Sequence, residues 1–366
     1  MGWMNAALLG CVMCSSSKDD DDSVEIARPG NRRREVAIAA GVPELTPREL
    51  KEATAKFSAS RLIGRGEHAE VFRATLRGGR AAAAKRLIRA PPAAAGILRE
   101  QVAAASKLRH ENVVRLLGYS ITAGLPVLLY ELADVGTLHD VLHGTRPPLA
   151  GPRGAPAPAS TSIRRPPPAT ATLGWEQRVR IALDAAAGLA YLHAAAVTHR
   201  GVRSTSVLLF QGFRAKIAEH DVFKQKQQLA DQDLTQTVIR YVPDTEVGYY
   251  HPMELMCSGR KMDVFSFGVV LLELLTGRKP HDNTLPGTRV QQFLMFWARP
   301  LLAQGRVEEC IDPKLGDQYP PAGALKLGRI ALQCLQDHPA SRPSMDTVVR
   351  LINRDVVVRD QRGARV

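Results

Sequence analysis

Apolar positions follow two different rhythms along this chain, and the change of rhythm divides it. From Leu62 to Leu87 they come in short runs broken by glycine: Leu62-Ile63, Val71-Phe72, Leu76, then Ala81 to Ala84. Such runs predict antiparallel strands, with a hairpin turn at Gly78-Gly79. Upstream, Thr46 precedes Pro47 and is followed by Glu49, the pattern of a capping box with proline in the first turn. That helix is expected to end near Phe57. A further helix is predicted near Ile97 to Leu108, then strands around Val113 to Tyr119 and Val127 to Tyr130. From Trp175 the rhythm turns helical: Val179, Ile181, Ala182, Ala185, Leu189 and Leu192 recur on one face. More helices are predicted over Val264 to Leu275, Val290 to Leu302, Gly323 to Leu335 and Met345 to Asn353. A small strand-rich lobe followed by a large helical lobe is an α+β, bilobal architecture.

Three stretches break the pattern. Residues 1–44 carry the acidic run Asp19 to Asp22 and then Arg28 and Arg32 to Arg34, charge blocks that cannot bury a core, so a disordered tail is expected. Residues 144–172 are dense in Pro, Ala, Gly and Arg and read as a disordered surface insertion. Residues 355–366 form a short C-terminal tail. The ordered domain is thus expected over 45–354, its small lobe about 45–132 and its large lobe about 133–354.

Composition narrows the setting. No run of 18 or more apolar residues predicts a transmembrane helix, and the first residues lack the basic leader of a secretory signal. Cys11, Cys14, Cys257, Cys310 and Cys334 form neither a zinc pattern nor a disulfide framework, which points to a reducing, cytoplasmic setting. The net charge of +13 suits an anionic membrane surface. Nothing resembles a nucleic-acid module, so no nucleic-acid partner is expected. Gly2 meets one requirement for myristoylation, but Ala6 stands where that motif wants Ser or Thr. Cys11 and Cys14 are candidates for palmitoylation, and two acyl chains anchor stably where one does not.

Five segments carry candidate chemistry. In Gly64-Arg65-Gly66-Glu67-His68-Ala69-Glu70-Val71, a glycine-rich hairpin lets backbone N–H groups approach phosphates. Val71 is placed to cover an adenine ring. Lys85 follows within Ala82-Ala83-Ala84-Lys85, and a lysine among small apolar strand residues suits a phosphate ligand better than a solvent-facing charge. Then come Thr198-His199-Arg200-Gly201-Val202-Arg203 running on to Ser206-Val207-Leu208-Leu209, Lys216-Ile217-Ala218-Glu219-His220-Asp221, Asp263-Val264-Phe265-Ser266-Phe267-Gly268, and Ser341-Arg342-Pro343.

Their order and spacing resemble a eukaryotic protein kinase domain over roughly residues 45–354. Leu138-His139-Asp140-Val141-Leu142-His143-Gly144, Val207-Leu208-Leu209-Phe210 and Gly277-Arg278-Lys279-Pro280 are similar, more narrowly, to plant receptor-like cytoplasmic kinases of the Pto-interacting type. The resemblance implies ATP as ligand. Gly64, Gly66 and Val71 would hold it, with Lys85 on its phosphates, Tyr130 as gatekeeper, and backbone groups of Glu131 and Ala133 meeting adenine. Arg203 matches the loop residue that touches the γ-phosphate. Asp263 matches the aspartate that pins the catalytic loop, and Arg342 the arginine that pairs with the Ala-Pro-Glu glutamate, here Glu254.

The departures fall on the parts that transfer phosphate. Gly201 stands where the family has the aspartate that accepts the substrate hydroxyl proton. Ser206 replaces the metal-binding asparagine, and Glu219 replaces the metal-binding aspartate, so Mg²⁺ would be held by a degenerate pair. Gln101 stands where kinases place the glutamate that holds the lysine, as it does elsewhere in this subfamily. The resemblance and its departures together imply a pseudokinase, a scaffold or allosteric partner of other protein kinases or receptor kinases. The alternative is a weakly active Ser/Thr kinase. Thr235, Thr237 and Thr245 are candidate phosphorylation sites.

Overall fold

A computed structural model describes residues 41–66, 69–88, 95–121, 125–144, 172–218, 250, 259–288 and 291–357. The predicted tail tip, most of the 144–172 insertion, Glu219, the candidate phosphothreonines and Glu254 lie outside the described residues.

The domain begins earlier than the charge pattern suggests. Val42 is buried, Leu45 N–H donates to the Tyr119 carbonyl and Tyr119 N–H to that of Pro43, so residues 42–45 lie along the sheet edge. Helix α1 (Pro47–Ala53) carries the expected capping box: Glu49 N–H donates to Thr46 Oγ1 (3.3 Å) and Thr46 N–H to Glu49 Oε2 (2.9 Å). It stops at Ala53, not near Phe57. Buried Thr54 turns its hydroxyl onto the Leu50 carbonyl and accepts from Phe57 N–H, and Ala55, Lys56 and Phe57 follow with φ of 50°, 57° and 56°. The detour brings Phe57 edge-on against Phe72 at 5.2 Å.

Five strands form an antiparallel sheet in the order β1-β2-β3-β5-β4: β1 (Leu62–Arg65), β2 (Ala69–Thr75), β3 (Ala81–Leu87), β4 (Leu116–Ser120) and β5 (Val127–Glu131). Gly78 and Gly79 make the expected turn, with φ of 81° and 79°. Side chains alternate across the sheet. Phe72, Ala74, Ala82, Ala84 and Leu129 share one face and pack with Leu50 and Ala53 of α1 into a small core of their own. Val71, Ala83, Lys85, Leu128 and Tyr130 take the other face, where Leu128 joins Leu98 and Val102 of α2 (Ala95–Ser106).

The strand predicted from Val113 begins only at Leu116. Val113 and Val114 instead lie along Ile217, with Val114 N–H donating to the Ile217 carbonyl and Ile217 N–H to that of Asn112. Helix α4 (Trp175–Ala194) comes close here because Gly188 has no side chain: a Cβ would stand 2.3 Å from the Asn112 oxygen. This three-way contact ties the small lobe to the large one.

The large lobe is helical around a three-stranded sheet of β6 (Gly136–Thr137), β7 (Val207–Phe210) and β8 (Arg214–Ile217). Helix α3 (Leu138–His143) follows β6, and the long α5 (Arg260–Thr276) runs through the centre, every residue from Asp263 to Thr276 buried. Around it pack α6 (Leu294–Ala303), α7 (Pro321–Cys334) and α8 (Met345–Leu351). Helix α6 starts at Leu294 rather than Val290, because Phe293 is still extended and bridges His281. The domain also runs past its predicted end: Ile352–Val356 makes one wide turn with Ile352 and Val356 buried. Deep in this lobe Arg178 donates to Asp312 Oδ2 (2.5 Å) and to the Leu173 and Leu274 carbonyls (2.8 Å each), so the buried charge is fully engaged.

Candidate nucleotide and catalytic-loop site

The glycine-rich hairpin forms from local pairing. Gly64 lies opposite Val71, Arg65 opposite Glu70, and Gly66 N–H closes the turn on the Ala69 carbonyl at 2.8 Å. Neither Gly64 nor Gly66 adopts a left-handed φ, and a Cβ at either would meet only ordinary contacts, at 3.8 Å and 3.7 Å. The fold itself therefore does not demand these glycines, which is what a loop kept open for an approaching ligand requires. Glu70 accepts from Arg65 (2.9 Å) and from Arg86, and the Arg86 guanidinium holds its carboxyl below the usual range. Arg86 also lies over the Phe57 and Phe72 rings, at 4.7 Å and 5.0 Å, which stiffens the base of the hairpin.

Strand register aligns the predicted nucleotide residues. Val71 faces Lys85 on β3, Lys85 faces Leu128 on β5, and Ala83 faces Tyr130. Directly opposed residues share a face. Val71, Lys85 and Tyr130 therefore line one side of the sheet, below the glycine hairpin. Beyond Tyr130 the chain crosses to the large lobe. Glu131 N–H donates to the Arg115 carbonyl (3.1 Å), and Ala133, two residues on, is buried.

The Glu131 side chain does something the sequence does not announce. Its carboxylate accepts from Arg115 N–H (2.8 Å) and from Lys216 Nζ on β8 (2.7 Å). Lys216 also lies over the Phe210 ring at 4.8 Å. The connection between the lobes is thus tied to the strand that leads to Glu219.

The catalytic loop follows α4 and is held from behind. Asp263, fully buried at the start of α5, accepts from His199 N–H (Oδ2, 2.7 Å) and Arg200 N–H (Oδ1, 2.7 Å), and His193 Nε2 lies 2.9 Å from Oδ2. Arg200 takes the φ of 56° that lets both amides reach one carboxylate. His199 Nε2 meets the Ala218 carbonyl at 2.6 Å, fastening the loop to the end of β8. This is the pinning that the resemblance implies for Asp263. Arg342 donates to the carbonyls of Gln336 (2.7 Å), Lys261 (3.1 Å) and Asp337 (2.9 Å) and lies over the Phe265 ring, so it braces the base of α5.

Gly201 comes next, half-buried, with no side chain to accept a proton. Arg203 and Ser206 then close on each other. Ser206 Oγ accepts from Arg203 N–H (3.0 Å) and donates to the Arg203 carbonyl (2.8 Å), and Ser206 is fully buried. The hydroxyl is occupied by its own loop. Magnesium wants carboxylate oxygens in near-octahedral array. Of the expected ligand pair only Ser206 lies among the described residues, and it offers a neutral oxygen already engaged by its own loop. The face formed by Gly64, Gly66, Val71, Lys85 and Tyr130 does fit a nucleotide.

A second polar cluster lies under the same loop. Glu273 of α5 is fully buried and accepts from Tyr250 OH (Oε1, 2.7 Å) and Ser204 Oγ (Oε2, 2.8 Å), with His143 Nε2 2.8 Å from Oε2. Ser204 Oγ is also 3.0 Å from Tyr250 OH and 3.3 Å from His139 Nδ1. Burial, with the Glu273 carboxylate beside it, pushes the Tyr250 phenol well above its ordinary pKa, so it stays a donor. In sequence, Leu138 to Gly144 stands out only for its resemblance to the kinase subfamily. The His139, His143 spacing of four was the available signal, since it puts both rings on one helical face.

Residues 57–352 match the family described as protein tyrosine and serine/threonine kinase. The chain is 43% identical over 317 residues to PTI1-like tyrosine-protein kinase 3 of Arabidopsis thaliana, across 85% of this chain and 72% of that one. It is 42% identical over 322 residues to PTI1-like tyrosine-protein kinase 2 of the same plant, across 86% and 82%. With PTI1-like tyrosine-protein kinase 1 the figures are 40% over 348 residues, across 92% and 90%.

Proposed function

This chain belongs to the protein tyrosine and serine/threonine kinase family, and from that premise we propose that it is a pseudokinase: it binds ATP without transferring its phosphate and acts as a scaffold or allosteric partner of other protein kinases or receptor kinases. One observation carries the reading. The loop backbone is held as a working loop needs, by Asp263 on His199 and Arg200, yet the next residue is Gly201. The frame is present and the proton acceptor is absent. Loss of a general base costs about 10²- to 10⁴-fold in rate. Ser206, turned onto Arg203, compounds the loss.

Nucleotide retention rests on the shared face of Val71, Lys85 and Tyr130 beneath the glycine hairpin. Bound ATP would supply a polyphosphate for Lys85 and Arg203 to neutralise and an adenine for Val71 to cover. Its binding would stiffen the lobes against each other across the Glu131–Lys216 tie.

The test is phosphotransfer from labelled ATP by the full chain, with Mg²⁺ and then Mn²⁺, beside Lys85→Met and Gly201→Asp. Wild type no more active than Lys85→Met supports the reading. Transfer by wild type that Lys85→Met abolishes overturns it in favour of the weakly active kinase, which the intact loop frame favours because phosphoryl transfer is mostly positioning and electrostatics. Thermal stabilisation by ATP checks the nucleotide half, and its absence at saturating ATP sinks that half alone.

Among the described residues no helix is long and apolar enough to cross a membrane. Attachment to an anionic membrane is proposed through acylation of Cys11 and Cys14. Replacing both by serine should move the protein to the soluble fraction, and unchanged partition rules them out as the anchor.

A further inference from the structure

We propose that His139, His143 and Glu273 form a site for a divalent transition-metal ion, with Zn²⁺ the best match, that joins α3, the catalytic loop and α5. One ring nitrogen from each histidine and one Glu273 oxygen lie within 4.8 Å of one another. The two histidines are four residues apart on α3, with ring centroids 4.8 Å apart, so one helical face presents both. Their face meets the last turn of α5, where Glu273 is fully buried.

The donor set selects the ion. Two imidazoles and one carboxylate suit zinc, nickel or copper, and are poorly matched to magnesium or calcium, which prefer all-oxygen sites. A tetrahedral Zn²⁺ with bonds of ~2.0–2.2 Å needs donors roughly 3.3–3.5 Å apart. The His143–Glu273 separation of 2.8 Å would open to that by a small shift, and half-buried His139 would close in on the ion. Ser204 Oγ stands 2.8 Å from Glu273 and 3.3 Å from His139, where it or a water would complete the shell. A dication here would also compensate a carboxylate removed from water, which hydrogen bonds do only in part.

The consequence would be mechanical. Ser204 belongs to the catalytic loop and Tyr250 donates to the other Glu273 oxygen. Metal binding would lock the underside of the loop to α3 and α5, away from the nucleotide face, giving the domain a second ligand whose effect needs no catalysis.

The experiment uses the full chain stripped of metal with a chelator. Zn²⁺ is titrated calorimetrically, and Co²⁺ is added as a spectroscopic stand-in. One saturable Zn²⁺ site, visible ligand-field absorption from tetrahedral Co²⁺, and a loss of at least about 10-fold in Zn²⁺ affinity in His139→Gln are expected. Because His143→Gln disturbs a buried bond and could unfold the chain, half-buried His139→Gln is the deciding variant. Its metal-free melting temperature should match wild type, and Zn²⁺ should raise the melting temperature of wild type only. No saturable Zn²⁺ binding, or equal affinity and equal stabilisation in His139→Gln, overturns the proposal and leaves the cluster a self-contained hydrogen-bond network.

Discussion

The two sides of the catalytic loop differ in what holds them. Behind, buried Asp263 takes two backbone amides and lies against buried His193, and His199 is fastened to Ala218. In front, Gly201 offers no side chain, and Ser206 spends its hydroxyl on Arg203. Both sides belong to one stretch of about ten residues within the same family pattern, yet only the structural half keeps its chemistry. The lesson is that the loop's shape is stabilised by burial and hydrogen bonding to α5. It does not depend on the groups that would move a phosphate, so those groups can be lost while the fold stands.

The contrast can be broken most severely from behind. Asp263→Ala removes the acceptor of two buried amides and leaves His193 facing a cavity. It should cost about 3–5 kcal/mol, the range for breaking a buried charged cluster. Urea denaturation should show a lower midpoint with an unchanged slope. Lys216→Ala tests the tie between lobes at a partly exposed pair and should cost about 1 kcal/mol by the same measurement. Gly201→Asp sharpens the contrast from the front. It should move stability by less than about 0.5 kcal/mol, because the position is half-exposed and its neighbours are anchored elsewhere.

Thiol labelling gives a local readout of the large lobe. Burial pushes the Cys310 and Cys334 thiols up to about 12, so at pH 8 both remain protonated and shielded. Iodoacetamide at that pH should leave both unmodified in the folded chain and modify both in urea. Modification of either without denaturant would show that the lobe opens locally.

Much of the frame was legible before any coordinates. The capping box at Thr46 and Glu49 and the Gly78-Gly79 turn are local codes, and each forms where expected. Asp263 could be assigned because its motif stands beside a recognisable helix. Element ends were less legible. Helix α1 stops at Ala53 because buried Thr54 captures the Leu50 carbonyl, a choice made by packing against Phe72 rather than by propensity. Residues 42–44 look like tail because their composition is unremarkable, and their partners, the edge of β4 and Arg99 of α2, lie far along the chain.

The sequence by itself determined the class of fold, the order of the motifs and the absence of a carboxylate at position 201, since these depend on residue identity and near-neighbour periodicity. Tertiary structure alone decided where Ser206 spends its hydroxyl, that Glu131 reaches Lys216, and that His139, His143, Ser204 and Tyr250 gather around Glu273. The last group draws together positions 130 residues apart. No periodicity links such positions. They meet because α5 runs through the centre of the lobe and a buried carboxylate must find its donors among whatever packs against it.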